Sequence, residues 1–276
     1  IRIRSDHNSR ALSGIDSQRI ARRQRATEEM MGVFMERAAE DELSWVLTQW
    51  PTHACAQEAE MSLTEYREFF LAACKLDRQG PVSEWEKMDK EQERLVQALG
   101  EREEIRIVSK DTDLTLSSGG RKWINCSCHE NYPDGEVFTG PVEESAEGHI
   151  RFSFPGIYSG KEIKNIRLTF RDGVVTDATA EKGQQLLDDL LETDEGARRL
   201  GELGVGTNHG IRRFTRNMLF DEKMGGTVHL ALGRGYPESG SSNESGIHWD
   251  LLCDMKEGGE IQADGELIYE DGRFVI

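Results

Sequence analysis

Positive charge is in short supply along this chain: 34 lysines and arginines stand against 51 aspartates and glutamates, giving a formal net charge of -17 and a pI near 4.9. That deficit excludes nucleic acid and an anionic membrane surface as the main partner, since both need basic patches. Arg19, Arg22, Arg23 and Arg25 do not reverse it, because they fall inside a helical pattern and read as a solvated face. The acidic excess fits salt adaptation and equally fits an ordinary acidic protein. No long apolar run and no secretory leader pattern is visible, so no membrane partner is expected. Cysteine shows no disulfide framework either: Cys55, Cys74, Cys126, Cys128 and Cys253 are odd in number, which points to a reduced, cytoplasmic setting. Cys126-Ser127-Cys128-His129 lacks the second cysteine pair of a structural zinc site.

At 276 residues and 31.2 kDa the chain is long for one domain and comfortable for two. Asp16 is expected to cap a helix carrying Ile20, Met30, Met31, Phe34 and Met35. Leu43 to Trp50 reads as a strand ended by Pro51, and Ser62–Glu65 and Ser83–Glu86 are capping-box patterns that each open a helix. From about Glu104 short alternating runs and Asp-Gly turns at Asp172-Gly173, Asp264-Gly265 and Asp271-Gly272 take over, interrupted by two helical segments, GQQLLDDLL and DEGARRL. The fold expected is α/β plus α+β. Residues 1–103 form the helical, α/β part, and residues 104–276 an α+β metal-binding domain with a mostly antiparallel sheet. Because the chain opens on Ile1 rather than Met, the first part is expected to be incomplete at its start.

The chemistry-bearing residues concentrate between Leu219 and Leu251. In SGIHWDLL, His248 and Asp250 are two apart and share one face of a strand, offering an imidazole nitrogen and a carboxylate oxygen to a single point. A hydrogen-bonded His–Asp pair on a half-buried strand would read the same. His229 in TVHLALG shares a face with Thr227 and Ala231, small neighbours that leave room for its ring. Glu136 follows a Pro-Asp-Gly turn, and Glu202 sits between glycines in LGELGVGTN. Exposed turn or loop glutamates are the commonest alternative for both, but Val137, Phe138, Leu203 and Val205 suggest burial, and a buried carboxylate needs a cation. Glu222 reads as a general base, an extra ligand or the partner of a nearby Lys or Arg, and Tyr236 as a donor to an oxyanion or a sheet-edge aromatic.

NYPDGEVFTGPVE, LGELGVGTN, LFDEKMGGTVHLALGRGYPE and SGIHWDLL, with PTHACAQEAEMSLTEYREFFLAAC and TDLTLSSGGR before them, resemble the successive motifs of the thermophilic metallo-aminopeptidases, the aminopeptidase T and S (PepS) type. The likeness runs from about Trp45 to the end, with a shorter segment between Tyr236 and His248 than in some members. It implies a peptide substrate, a homodimer and two divalent ions, zinc, cobalt or magnesium/manganese. It implies Glu136, Glu202, His229, His248 and Asp250 as ligands and Tyr236 as the active-site tyrosine. Two such ions would share a bridging carboxylate and activate a water for attack on the scissile carbonyl. Two other readings stand beside it: a mononuclear non-haem iron ring-cleaving dioxygenase of the same superfamily, and a non-catalytic metal-binding or scaffold protein.

Overall fold

The computed structural model describes residues 1–12, 14, 15, 19, 22, 26, 30, 33, 34, 37 and 42–276. The helix expected to open at Asp16 falls outside the described residues. Strands β1 (Arg2–Arg4) and β2 (Leu47–Gln49) lie parallel, β2 occupying the end of the Leu43–Trp50 run. Helix α1 (His53–Glu58) starts at Thr52, whose hydroxyl accepts from the Cys55 N–H. Helix α2 (Leu63–Ala73) carries the expected capping box, with both reciprocal bonds between Ser62 and Glu65 formed.

Helix α3 (Pro81–Gly100) corrects the reading at Ser83. Gly80 is its N-cap at φ 76°, Pro81 takes the first turn, and Ser83 Oγ donates back to the Gly80 carbonyl at 2.7 Å. Proline's fixed φ and missing N–H suit the first helical position, so the start is set two residues before the hydroxyl.

Strands then dominate: β3 (Glu104–Ser109), β4 (Thr112–Ser117), β5 (Ile124–Cys126), β6 (Asn131–Tyr132), β7 (Glu136–Thr139), β8 (Glu147–Arg151), β9 (Gly156–Tyr158), β10 (Lys161–Ile163), β11 (Arg167–Arg171) and β12 (Val174–Thr179). Helix α4 (Gln184–Leu191), β13 (Leu200–Gly206), α5 (Met218–Asp221), β14 (Thr227–Gly233), β15 (His248–Asp254), β16 (Glu260–Ala263), β17 (Glu266–Glu270) and β18 (Arg273–Phe274) complete the chain. The DEGARRL segment makes only a 3-10 turn, Glu195–Arg198, not a helix. Gly196 at its centre has low helix propensity, and its carbonyl accepts from Asn243 Nδ2 at 2.9 Å, which ties the turn to a neighbouring loop.

An eight-stranded sheet runs β12-β11-β8-β4-β3-β16-β17-β18 and a five-stranded sheet runs β15-β14-β13-β7-β5, with every pairing in both antiparallel. A smaller parallel sheet, β1-β2-β6, carries the α/β texture of the first part. The three Asp-Gly turns each place both central residues at positive φ, 47–49° for the aspartates and 75–83° for the glycines, as a two-residue type I′ hairpin requires.

Alternation assigns the two faces of the five-stranded sheet. Val137, Leu203, Val205, Val228, Leu230, Leu232, Trp249 and Leu251 enter one core with Ile105, Ile107, Leu114, Leu116, Ile150, Leu168 and Phe170 of the eight-stranded sheet. The opposite face is left for Glu136, Glu202, His229, His248 and Asp250. Beside them Leu252 joins a second core with Tyr66 and Phe69 of α2 and Phe220 of α5. No helix among the described residues is long and apolar enough to cross a membrane.

Two buried amides sew the helices to this sheet. Gln92 of α3 donates to Asn125 Oδ1 and to the carbonyls of Cys126 and Glu136 at 2.7–3.0 Å. Asn208, fully buried, donates to the carbonyls of Ala73 and Asp134 at 2.9 and 2.8 Å and accepts from the Gly210 N–H. Asn208→Ala leaves both carbonyls and one N–H without that partner. It should lower stability by about 2–3 kcal/mol in denaturant unfolding, and an unchanged midpoint would mean that water replaces the amide.

Candidate metal centre

Each ligand-type side chain on the exposed-to-site face of the five-stranded sheet stands opposite a residue too small to obstruct it. Glu136 pairs with Gly206, His229 with Gly204, Glu202 and Asp250 both with Ala231, and His248 with Gly233. Gly204 is the tightest case: a Cβ there would lie 2.1 Å from His229 Nε2 and 2.2 Å from Cε1, so the ring occupies the space that any side chain would need.

Glu202 is a strand residue, not part of a loop. It is buried in β13, and a register shift between Leu200 and Glu202 sends Leu200 into the main core while Glu202 turns to the other face. Without that bulge the two residues, spaced two apart, would share a face. Glu136 opens β7 and is 5% exposed, as Glu202 is; His229 is fully buried.

The side chains converge. His229 Nε2 lies 3.1 Å from Glu202 Oε1 and 3.3 Å from Glu136 Oε2, while His248 Nε2 lies 3.4 Å from Glu202 Oε2 and 3.5 Å from Asp250 Oδ1. Their donor atoms fall into two groups, Glu136–Glu202–His229 and Glu202–His248–Asp250, each with all three atoms within 4.8 Å of one another. Glu202 belongs to both. Its two oxygens face different histidines, and His248 Nδ1 is turned to the Arg234 carbonyl at 2.7 Å, which leaves Nε2 for the site. A third group, Cys126–Asp134–Glu136, lies behind the first. Cys126 therefore meets carboxylates rather than Cys128 and His129, and His129 contacts Asp89 at 3.5 Å.

Tyr236 follows β14 and packs edge-on against His248, ring centroids 5.0 Å apart, and against Phe138 at 5.5 Å. Burial raises its hydroxyl well above the ordinary value, and the charges of Glu202, Asp250, Glu222 and Glu136 raise it further. The residue as a whole is 39% exposed, with its ring held on His248 and Phe138.

Lys223, next to Glu222, was not picked out by the sequence reading. It is fully buried, with Nζ 3.3 Å from Glu136 Oε1 and in contact with Glu222 Oε1. Its signal was there: a lysine in a lysine-poor chain, inside the apolar frame of LFDEKMGG. Burial opposes its charge, but Glu136, Glu222 and Asp134 hold its pKa well above the usual value. Burial pushes Glu222 up to about 8, with Lys223 opposing and Glu136 and Asp250 adding to the rise. One ammonium serves several acids, so the lysine keeps its proton and the crowded Glu222 gives way.

The donor set fits divalent cations. Mixed imidazole and carboxylate donors suit zinc, cobalt or manganese better than calcium. Glu136 Oε2 is buried and has no hydrogen-bond partner among the described residues, although it points at the same space as His229 Nε2.

Comparison with known proteins gives the same direction. Residues 1–274 match the family described as thermophilic metalloprotease (M29). Aminopeptidase AmpS of Bacillus subtilis (strain 168) is 32% identical, over 98% of this chain and 75% of that protein. Aminopeptidase T of Thermus aquaticus is 30% identical, over 98% of this chain and 73% of that protein. The solved structure of wild-type AmpT from Thermus thermophilus superposes with a TM-score of 0.86 at 26% identity, covering 100% of this chain and 76% of that one. A 2,5-dihydroxypyridine dioxygenase from Pseudomonas putida KT2440 superposes at 0.53 and 16% identity, covering 83% of this chain and 65% of that one, a likeness of fold alone.

Two outcomes test the site. In the metal-free protein, burial lowers His229 and His248, but hydrogen bonds and charge from Glu202, Glu136 and Asp250 override it and raise them to about 9 and about 11. Burial would raise Glu202, yet the same two histidines bring it down to about 2. The raised histidines stabilise the metal-free fold below their ordinary pKa, and that contribution is lost as pH climbs through 9 to 11; the depressed Glu202 stabilises above its ordinary value and loses this as pH falls toward 2. An imidazolium cannot ligate, so cation binding near pH 7 should release protons and tighten as pH rises from about 6 to 9. Calorimetry in two buffers of different ionisation enthalpy reads this directly, and zero proton release would remove the histidines from the ligand set. Separately, Gly204→Ala should displace the His229 ring, lower stability by about 1–3 kcal/mol and empty the His229 triad of its cation in elemental analysis, whereas full metal content would show that the ring is free to move aside.

Proposed function

The chain belongs to the thermophilic metalloprotease (M29) family, and on that premise we propose that it is an aminopeptidase that holds two divalent cations and removes N-terminal residues from peptides. The observation that carries the two-cation reading is the pair of donor triads meeting at Glu202. The names of the relatives, aminopeptidase AmpS and aminopeptidase T, support the reaction class.

Glu136 and His229 would hold one cation and His248 and Asp250 the other, with Glu202 common to both groups. What the cations supply when bound is polarisation of the scissile carbonyl and a lowered pKa for the attacking water. Glu202, ionised and fixed by two histidines, puts its charge between the two positions. Glu222, held by Lys223 outside both triads and favoured in its ionised form once cations add their charge to the lysine's, takes the proton lost by the water and returns it to the leaving amine. Tyr236, held against His248 and Phe138, donates its hydroxyl to the oxyanion that develops in the transition state. The loops and helices that bury Glu136 and His229 keep bulk water away, which strengthens each of these interactions.

A single-iron site would draw two histidines and one carboxylate onto one cation. Here the two histidines fall in different triads, and the fold likeness to a dioxygenase carries no chemistry with it.

Protein purified without chelator should carry close to two divalent ions per chain. Glu202→Gln should lower metal content and peptide hydrolysis together, since it removes a negative charge between two cations. Tyr236→Phe should keep both ions and lose about a hundredfold in kcat at little change in KM. Elemental analysis paired with hydrolysis of an aminoacyl-nitroanilide decides it: full metal and wild-type rate in Glu202→Gln would take the shared carboxylate out of the centre.

A further inference from the structure

A fully buried lysine beside a pair of cation positions calls for explanation, because its charge opposes the cations that the triads would collect. Lys223 is fixed on both sides by its backbone: its N–H donates to the Phe220 carbonyl at 3.1 Å and its carbonyl accepts from the Asn208 N–H at 3.0 Å. Its side chain is fully enclosed, so the ammonium has no solvent to withdraw into. It lies 3.3 Å from Glu136 Oε1. The other oxygen, Oε2, has no hydrogen bond among the described residues and lies 3.3 Å from His229 Nε2, inside the first triad. The same ammonium touches Glu222 Oε1, and among the described residues neither of the two triads meeting at Glu202 includes Glu222, although this acid lies close enough to Glu136 and Asp250 to feel their charges.

We propose that Lys223 is a positioning residue that assigns the roles of two carboxylates: it occupies one oxygen of Glu136, so that this residue presents a single oxygen to the His229 triad, and it holds Glu222 out of the ligand set. The proposal rests on the two-cation reading above. Without the ammonium, Glu136 is free to chelate with both oxygens and Glu222 is free to swing onto a cation. Both changes add ligand oxygens, so the centre holds metal more tightly while losing the free carboxylate that handles protons. A lysine that only props up the fold has the opposite signature, in which metal, stability and activity decline together.

The test uses the full chain loaded with zinc, with affinity measured by chelator competition beside kcat and thermal unfolding in EDTA. Lys223→Met should bind zinc at least about tenfold more tightly, the expected direction when a nearby positive charge is removed, and turn over at least about tenfold more slowly. Lys223→Arg should return zinc affinity to within about threefold of wild type by keeping the charge. Glu222→Gln, which swaps the carboxylate for an amide of the same size outside both triads, should keep zinc affinity within about threefold of wild type, far less than the loss expected of a ligand, and keeps the proposal testable if the methionine variant does not fold. Zinc affinity lost in Glu222→Gln, or zinc affinity unchanged or weakened in Lys223→Met, overturns the assignment. Wild-type protein that holds zinc yet cleaves no aminoacyl substrate defeats the aminopeptidase reading instead, and leaves the affinity comparison standing as the test of Lys223.

Discussion

Carboxylates brought together out of water repel one another, and this chain places Asp134, Glu136, Glu202, Glu222 and Asp250 at one end of a sheet face with only slight exposure. The effective penalty for burying an ion is still on the order of several kcal/mol after relaxation, so such a cluster persists only with cations among it. The structure supplies one permanent cation, Lys223, and two conditional ones, His229 and His248, which are protonated when the site has nothing else to neutralise it. On the two-cation proposal, divalent ions would displace the conditional protons but not the lysine, leaving a fixed charge that organises the centre beside an exchangeable one.

Holding those groups at close range depends on what surrounds them. Gly204, Gly206, Ala231 and Gly233 clear the sheet face, so imidazole and carboxylate groups can lie almost flat across neighbouring strands. The opposite face carries no such compromise: large aliphatic side chains from both sheets interlock there, and their packing fixes the strands on which the candidate ligands ride. From the helical side, Gln92 grips the Glu136 carbonyl and Thr207 donates its hydroxyl to Gln92 Oε1 at 2.8 Å, so α3 shares in positioning Glu136. Residues on both sides of position 103 thereby contribute to one site.

Much of this was legible in the sequence because it follows from period and turn chemistry. His248 and Asp250 share a face by strand alternation, the Asp-Gly pairs announce their hairpins, and Ser62 with Glu65 opens α2. What escaped follows from tertiary contacts that no local pattern records. Leu203 and Val205 pointed to burial of Glu202, but glycine-rich LGELGVGTN gave no strand assignment, and the segment is the central strand of the five-stranded sheet, between β7 and β14. Ser83 had the right spacing for a cap but lost to Pro81, and the glycine in DEGARRL left a 3-10 turn. Lys223 was hidden because lysine is so rarely buried that composition alone assigns it to the surface.

The register shift at Gly201 ties these threads together. A Cβ at that position would lie 2.4 Å from the carbonyl oxygens of Gly233 and Arg234, so the bulge is possible only where the chain has no side chain. One extra residue there lets Leu200 fill the core and still turns Glu202 toward His229 and His248, on the strand that lies between those bearing the other ligands. A regular strand would have to choose between a packed Leu200 and a shared carboxylate. With the bulge, the carboxylate that belongs to both triads comes from the central strand of the sheet, where β13 is paired with β14, one residue before its pairing with β7 begins at Leu203.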